Sequence, residues 1–146
     1  MKILLDADGS PVRKEVVNVA SSYNIELIMI SNVNHDIQES YGEVIQVDQG
    51  IDSADYKILS MTNKNDLVIT QDYGLASLVL SKKAYAMHQD GWFFNENNIE
   101  TLLSQRAMAQ KARKSNVRLK GSKKREPSQN KTFENALKIF LKTRNL

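Results

Sequence analysis

Cysteine is absent from the 146-residue chain. That excludes disulfides and thiolate metal sites. Histidine occurs only at His35 and His88, too few and too far apart to suggest zinc. Long apolar runs are also missing, since no stretch approaches the ~20 apolar residues a membrane helix needs. The opening MKILLDADGSP has an apolar run of only three residues before its first acid, which suits a first β-strand and not a signal peptide. A cytoplasmic protein with no membrane partner is therefore expected. The length is that of one ordinary domain with a core of its own, and no oligomeric state follows from it.

Charge of one sign is scarce in each part of the chain. Residues 1–104 carry 7 Lys/Arg against 15 Asp/Glu, whereas residues 105–146 carry 13 against 2. The net charge of +3 thus conceals an acidic body and a basic tail. The first suits cations and the second a polyanion.

Apolar runs alternate with helical spacing, the pattern of βαβ units around a parallel sheet. Lys2–Asp6 reads as the first strand, and its consecutive Ile3, Leu4 and Leu5 suit a strand buried on both faces. Ser10 reads as an N-cap and Pro11 as the first residue of a helix reaching about Tyr23. Further strands are expected at Ile25–Ile30, Val44–Val47, Leu67–Thr70 and Ala84–Met87. Helices are expected from Asp52, after Asp72, from Asn98 through Ala112, and over Thr132–Leu141. The expected organisation is a domain over residues 1–116, a basic flexible loop over 117–131, and a C-terminal helix, 132–146, packing on the same domain.

Five aspartates fall where such a sheet gathers ligands, beyond the carboxyl ends of its strands. Asp6 and Asp8 follow strand one, Asp52 and Asp55 follow strand three, and Asp72 follows strand four. Ionised carboxylates brought together repel unless a cation neutralises them. Oxygen ligands without His or Cys favour Mg²⁺ or Mn²⁺. Such an ion activates water against a phosphodiester. Asp52 and Asp72, taken singly, are equally explained as helix caps, and Asp8 as a turn former. Asp6, directly after an apolar strand, is harder to dismiss, since it is not a charge on a solvated face.

The segments DADGSPVR, GIDSADYKI, DLVITQDYGLASLVL and NNIETLL resemble, in order and spacing, the YaiI/YqxD family of bacterial proteins. That family is grouped by fold with the PIN-like nuclease domains. The resemblance covers residues 2 to about 143. It implies a three-layer α/β/α sandwich with a mainly parallel central sheet and an acidic pocket. It places Asp6, Asp8, Asp52, Asp55 and Asp72 in that pocket, with Asp6, Asp8 and Asp72 the principal catalytic ligands. Nuclease action follows from the fold grouping alone. The chain departs from the family at Gly9-Ser10, where Ala-Cys is usual, at Asp90-Gly91, where Arg-Gly is common, and at KGSKKREP, where a Gly-Gly-Pro stretch is common.

The tail run Arg106, Lys111, Arg113, Lys114, Arg118, Lys120, Lys123, Lys124 and Arg125 holds no acid. It suits sequence-independent phosphate contact or simply a solvated face. It lacks interleaved aromatics for base stacking. Arg13 and Lys14 follow the first acidic turn and face either a phosphate or solvent. Ser10 and Thr70 are candidate hydrogen-bond donors to the pocket. His88 reads as a surface residue, and Trp92, Phe93 and Phe94 as a core plug.

These features together describe a Mg²⁺- or Mn²⁺-dependent nuclease acting on RNA or DNA. One alternative is a nucleic-acid or ribosome-associated binding protein without catalysis. The other is a haloacid-dehalogenase-like phosphatase, since LLDADGS resembles that family's opening motif. There Asp6 would be a covalent nucleophile and Asp8 its acid/base partner.

Overall fold

The computed structural model describes residues 1–32, 39–50, 53–115 and 124–144. Six strands and five helices follow in the order β1 (Ile3–Asp6), α1 (Arg13–Ser22), β2 (Leu27–Ser31), β3 (Glu43–Gln46), α2 (Ser53–Met61), β4 (Leu67–Ile69), α3 (Tyr73–Ser81), β5 (Tyr85–Met87), β6 (Phe93–Phe94), α4 (Ile99–Lys114) and α5 (Pro127–Thr143). Among these no helix is long and apolar enough to cross a membrane.

The strands form one sheet in the order β3-β2-β1-β4-β5-β6. All neighbouring pairs are parallel except the last, β5 with β6. The period of two in a strand sends alternate side chains to opposite faces. Ile3, Leu5, Leu27 and Met29 meet α1 and α5 on one face. Leu4, Ile28, Ile30 and Val68 meet α2, α3 and the start of α4 on the other. The result is a three-layer α/β/α sandwich, and it explains why the first two strands are continuously apolar.

The elements depart from the sequence reading in three places. The first helix begins at Arg13, not Pro11. Ala7–Ser10 forms a turn, closed by the Ser10 N–H donating to the Ala7 carbonyl at 3.2 Å, with Gly9 in the left-handed region at φ 69°. Ser10 accepts from the Val12 N–H at 3.4 Å and so stabilises this turn ahead of the helix. The final helix starts five residues earlier than its apolar spacing indicates. Pro127 sits at its first turn and Glu126 with Gln129 forms a capping box, so residues 127–131 of the expected loop are helical. The short strand β6 returns antiparallel through a turn at Gly91, φ 96°. A Cβ there would stand 3.3 Å from the Thr132 carbonyl oxygen, so Gly91 also permits α5 to pack directly on the turn.

α5 buries Phe133, Leu137, Phe140 and Leu141 against Val12, Val16 and Val19 of the α1 side. Asn130 donates to the Pro11 carbonyl at 3.0 Å. The tail helix is thereby tied to the turn that carries the acidic motif.

At the opposite, amino end of the sheet, Asp66 is buried and satisfied. Its carboxylate accepts from the Lys2 backbone N–H at 3.0 Å, Lys2 Nζ at 2.7 Å and the Asn63 N–H at 2.8 Å. Burial alone would raise its pKa, but these donors and the Lys2 charge outweigh it and lower the pKa below the ordinary aspartate value. A lowered folded-state pKa contributes stability above the unfolded-state value and loses it as pH falls through the folded one. Asp66→Ala is expected to cost about 2–4 kcal/mol at pH 7. In urea titrations the gap to the wild type should narrow as pH falls below about 4.

Candidate active site at the carboxyl edge

The chain winds outward from β1 through β2 to β3, then returns to β4 on the other side of β1. Consecutive crossovers therefore diverge between β1 and β4, the place where an open parallel sheet leaves a crevice. Asp6 ends β1 at this point. Thr70, just past β4, donates its hydroxyl to Asp6 Oδ2 at 2.9 Å. The same hydroxyl accepts from the Asp72 N–H at 3.0 Å. Asp72 caps α3, its Oδ1 accepting from the Leu75 N–H at 3.1 Å. Its capping role and its place at the crevice are thus compatible.

Asp6 is half-buried. Burial raises its pKa, the Thr70 hydrogen bond opposes this, and the charges of Asp72 and Asp8 raise it further. Asp8 reaches across to the end of β2, where Ser31 Oγ donates to it at 2.7 Å and the Asn32 N–H at 2.6 Å. Both of its oxygens are acceptors. Its partners lie on a neighbouring strand, so it is more than a local turn former.

The carboxylates form a row instead of a single knot. Asp6 and Asp8 share a crevice of about 10 Å³ with Ser10, Thr70, Gln71 and Gln89, room for about one water. Asp6 and Asp72 share a cavity of about 310 Å³ with Gln71, Tyr73 and Arg106. Asp72 and Asp55 share the next, whose lining also includes Arg106. Asp52 lies outside the described residues. Among the described residues, no three His, Asp or Glu side chains stand close enough to hold a metal ion together.

This donor set does not make a cage, but it fits an ion that keeps its water. Mg²⁺ commonly takes one or two carboxylates, several waters and substrate phosphates. The Asp6–Asp8 crevice is too small for a hydrated ion, so the Asp6–Asp72 side is the one that fits. The all-oxygen chemistry suits the same kind of ion.

The basic residues divide by environment. Arg106 Nη1 stands 3.5 Å from Asp72 Oδ1 and lines two of the cavities. Lys14, Lys111, Arg113, Lys114 and Lys124 are exposed. Arg13 donates to Glu39 at 2.8 Å. Arg125 is engaged by Asp90 at 2.6 Å, the Gln89 carbonyl at 2.8 Å and Asn130 at 2.7 Å, so it fastens α5 to the β5–β6 turn. Arg118, Lys120 and Lys123 lie outside the described residues.

His88 is buried, contrary to its reading as a surface residue. Its ring stacks on Trp92 at 4.4 Å and meets Phe94 edge-on at 5.9 Å. Nδ1 accepts from the Asp90 N–H at 3.0 Å. Burial lowers its pKa, Asp90 opposes this, and Arg125 adds to the lowering. Phe94 is buried and Trp92 packs beside it, so the aromatic run is core. Sequence reasoning missed Tyr56, Tyr73, Gln71 and Gln89 as lining residues. The two residues flanking Asp55 and Asp72, Tyr56 and Tyr73, carried the available signal.

An acid whose folded-state pKa is raised opposes folding at pH values above that pKa, and the penalty disappears as pH falls below the unfolded value. Asp6→Asn keeps an oxygen for Thr70 and removes the charge. Its Tm should rise at pH 7, by the few degrees that ~0.5–2 kcal/mol makes in a domain of this size. The gain should vanish near pH 3. A thermal melt at both pH values checks this.

A family model described as "Uncharacterized BCR, YaiI/YqxD family" matches residues 4–143. A UPF0178 protein of Natranaerobius thermophilus is 46% identical over 141 residues, covering 97% of this chain and 96% of its own length. One from Alkaliphilus oremlandii is 42% identical over 141 residues, covering 97% and 91%. One from Enterococcus faecalis is 41% identical over 140 residues, covering 94% and 95%. No solved structure matches significantly. Its near-complete match to the model, and relatives that align end to end, establish that the chain belongs to the YaiI/YqxD family.

Proposed function

We propose that the chain is a Mg²⁺- or Mn²⁺-dependent nuclease that hydrolyses phosphodiester bonds in RNA or DNA. The observation that carries this reading is the shared cavity of Asp6, Asp72 and Arg106 at the switch point. It offers two acids for a hard cation and a cation for a phosphate. The resemblance to PIN-like nuclease domains supports it at the level of fold.

When bound, Mg²⁺ or Mn²⁺ supplies an acidified water and neutralises phosphate charge. Asp6 and Asp72 are the residues that would hold it, with Asp8 and Asp55 extending the acidic edge. Thr70 orients Asp6 through its hydroxyl, and the α3 N–H bonded to Asp72 fixes the second carboxylate. Arg106 can exchange Asp72 for a substrate phosphate, because an ion pair at 3.5 Å between partly exposed side chains contributes only about 0–1 kcal/mol. Water, not a side chain, attacks.

A second reading has one observation behind it. Three donors do not converge among the described residues, as expected of a nucleic-acid-binding protein whose pocket is not catalytic. Incubation of the purified protein with single-stranded and duplex RNA and DNA separates the two. The nuclease reading predicts cleavage with Mn²⁺ or Mg²⁺, none in EDTA, and a loss of at least ~100-fold in Asp6→Asn. Mn²⁺ should raise the Tm of the wild type and not that of Asp6→Asn. Nucleic-acid binding that survives EDTA and Asp6→Asn, with no cleavage of any substrate, would overturn it in favour of the binding protein.

A further inference from the structure

Beside the Asp6–Asp72 cavity lies a second, of about 360 Å³, between α2, α3 and α4. The two share Asp72 and Arg106. Its walls are mainly apolar, from Tyr56 and Leu59 of α2 and Leu75 and Leu78 of α3. Tyr56 is 75% exposed and Leu78 52%. Scattered exposed apolar residues need no explanation, but these two border one cavity and leave an aromatic face available there. Gly74 also lines this cavity. A Cβ on it would stand 3.3 Å from Asp72 Oδ1 and 3.7 Å from Arg106 Nη1, so a side chain there would crowd the pair that the two cavities share.

The charge outside this cavity has a direction. Arg106, Arg113 and Lys114 are exposed and fall at i, i+7 and i+8 of α4, one face of the helix. At 1.5 Å per residue the stripe runs roughly 10–12 Å, long enough for more than one phosphate. It begins at Arg106, at the cavity mouth. α4 has no fully buried residue, so most of this face is open to a polyanion.

We propose that this cavity receives one unpaired base of a single-stranded nucleic acid, stacked on Tyr56, while Arg106 and the α4 stripe meet the flanking phosphates. The inference rests on the reading that nucleic acid is the substrate, and names the strand form that the site takes. The volume lies in the ~300–1,000 Å³ range of small-ligand pockets. The apolar walls suit the faces of a base. A base held inside a duplex cannot enter without leaving its stack. The adjoining Asp6–Asp72 cavity then lies next to that nucleotide's phosphate.

The test is fluorescence anisotropy with labelled hexanucleotides, rA and dA, in EDTA so that cleavage plays no part. Tyr56→Ala should weaken binding of the hexamers about tenfold, the size of one base–aromatic stack. Tyr56→Phe should bind as the wild type does. An abasic hexamer, with sugars and phosphates only, should bind wild type and Tyr56→Ala equally. Tyr56 is a surface residue, so its loss leaves the core intact. Equal hexamer binding by wild type and Tyr56→Ala, or an equal loss on the abasic strand, would overturn the proposal. Failure of the wild type to cleave with Mn²⁺ would count against the nuclease reading, whereas Tyr56-dependent binding would still uphold the base pocket.

Discussion

The half-buried charge of Asp6 is the constraint around which the carboxyl edge is arranged. It stands at the end of a central strand with one hydroxyl donor, Thr70, and two carboxylate neighbours whose charges disfavour its ionised form. A chain selected only for stability has little reason to keep an acid there. The contrast with Asp66 sharpens this. Both acids lie against the central strands, at opposite ends of the sheet. Asp66 is surrounded by donors and a lysine, and its charge supports the fold. Asp6 has a partner for only part of its charge, and the remainder faces a cavity that opens toward Asp72 and Arg106.

The fold explains how residues 64 positions apart come to be bonded. Parallel pairing of β1 with β4 puts Leu5 beside Ile69, which brings the residues just beyond both strands to one edge. The diverging crossovers leave that edge uncovered. α4 then crosses on the α3 side, and its Arg106 enters the acidic row. The basic tail and the acidic body, so separate in sequence, meet where Arg106 faces Asp72 and where Arg125 pairs with Asp90. Farther along, Arg125 serves the fold by holding α5 to the β5–β6 turn.

Periodicity made the sandwich legible. The runs at Ile3–Leu5 and Leu27–Ile30 are apolar because both faces are covered, and the strand ends locate Asp6, Asp8 and Asp72 at the edge. What periodicity does not encode is less visible. β6 is two residues long and exists only through pairing with β5. The start of α5 depends on capping chemistry at Glu126 and Pro127, ahead of its first buried residue. His88 is enclosed by Trp92 and Phe94 through tertiary stacking, which a polar residue in a turn does not announce. Tyr56 points outward on α2, and its relevance comes from Leu78 and Arg106 on two other helices. The spacing of carboxylates along the edge, in a row with Asp6 and Asp72 at its centre, is likewise a property of three dimensions.

The resulting picture is an edge where a cation would relieve a conflict already present in the protein. The most direct measurement is a crystal soaked in Mn²⁺ and recorded for anomalous scattering. The account predicts a peak between the Asp6 and Asp72 carboxylates, on the Arg106 side, with waters completing its coordination. A crystal with no peak there, or with manganese bound only at unrelated surface carboxylates, would contradict it.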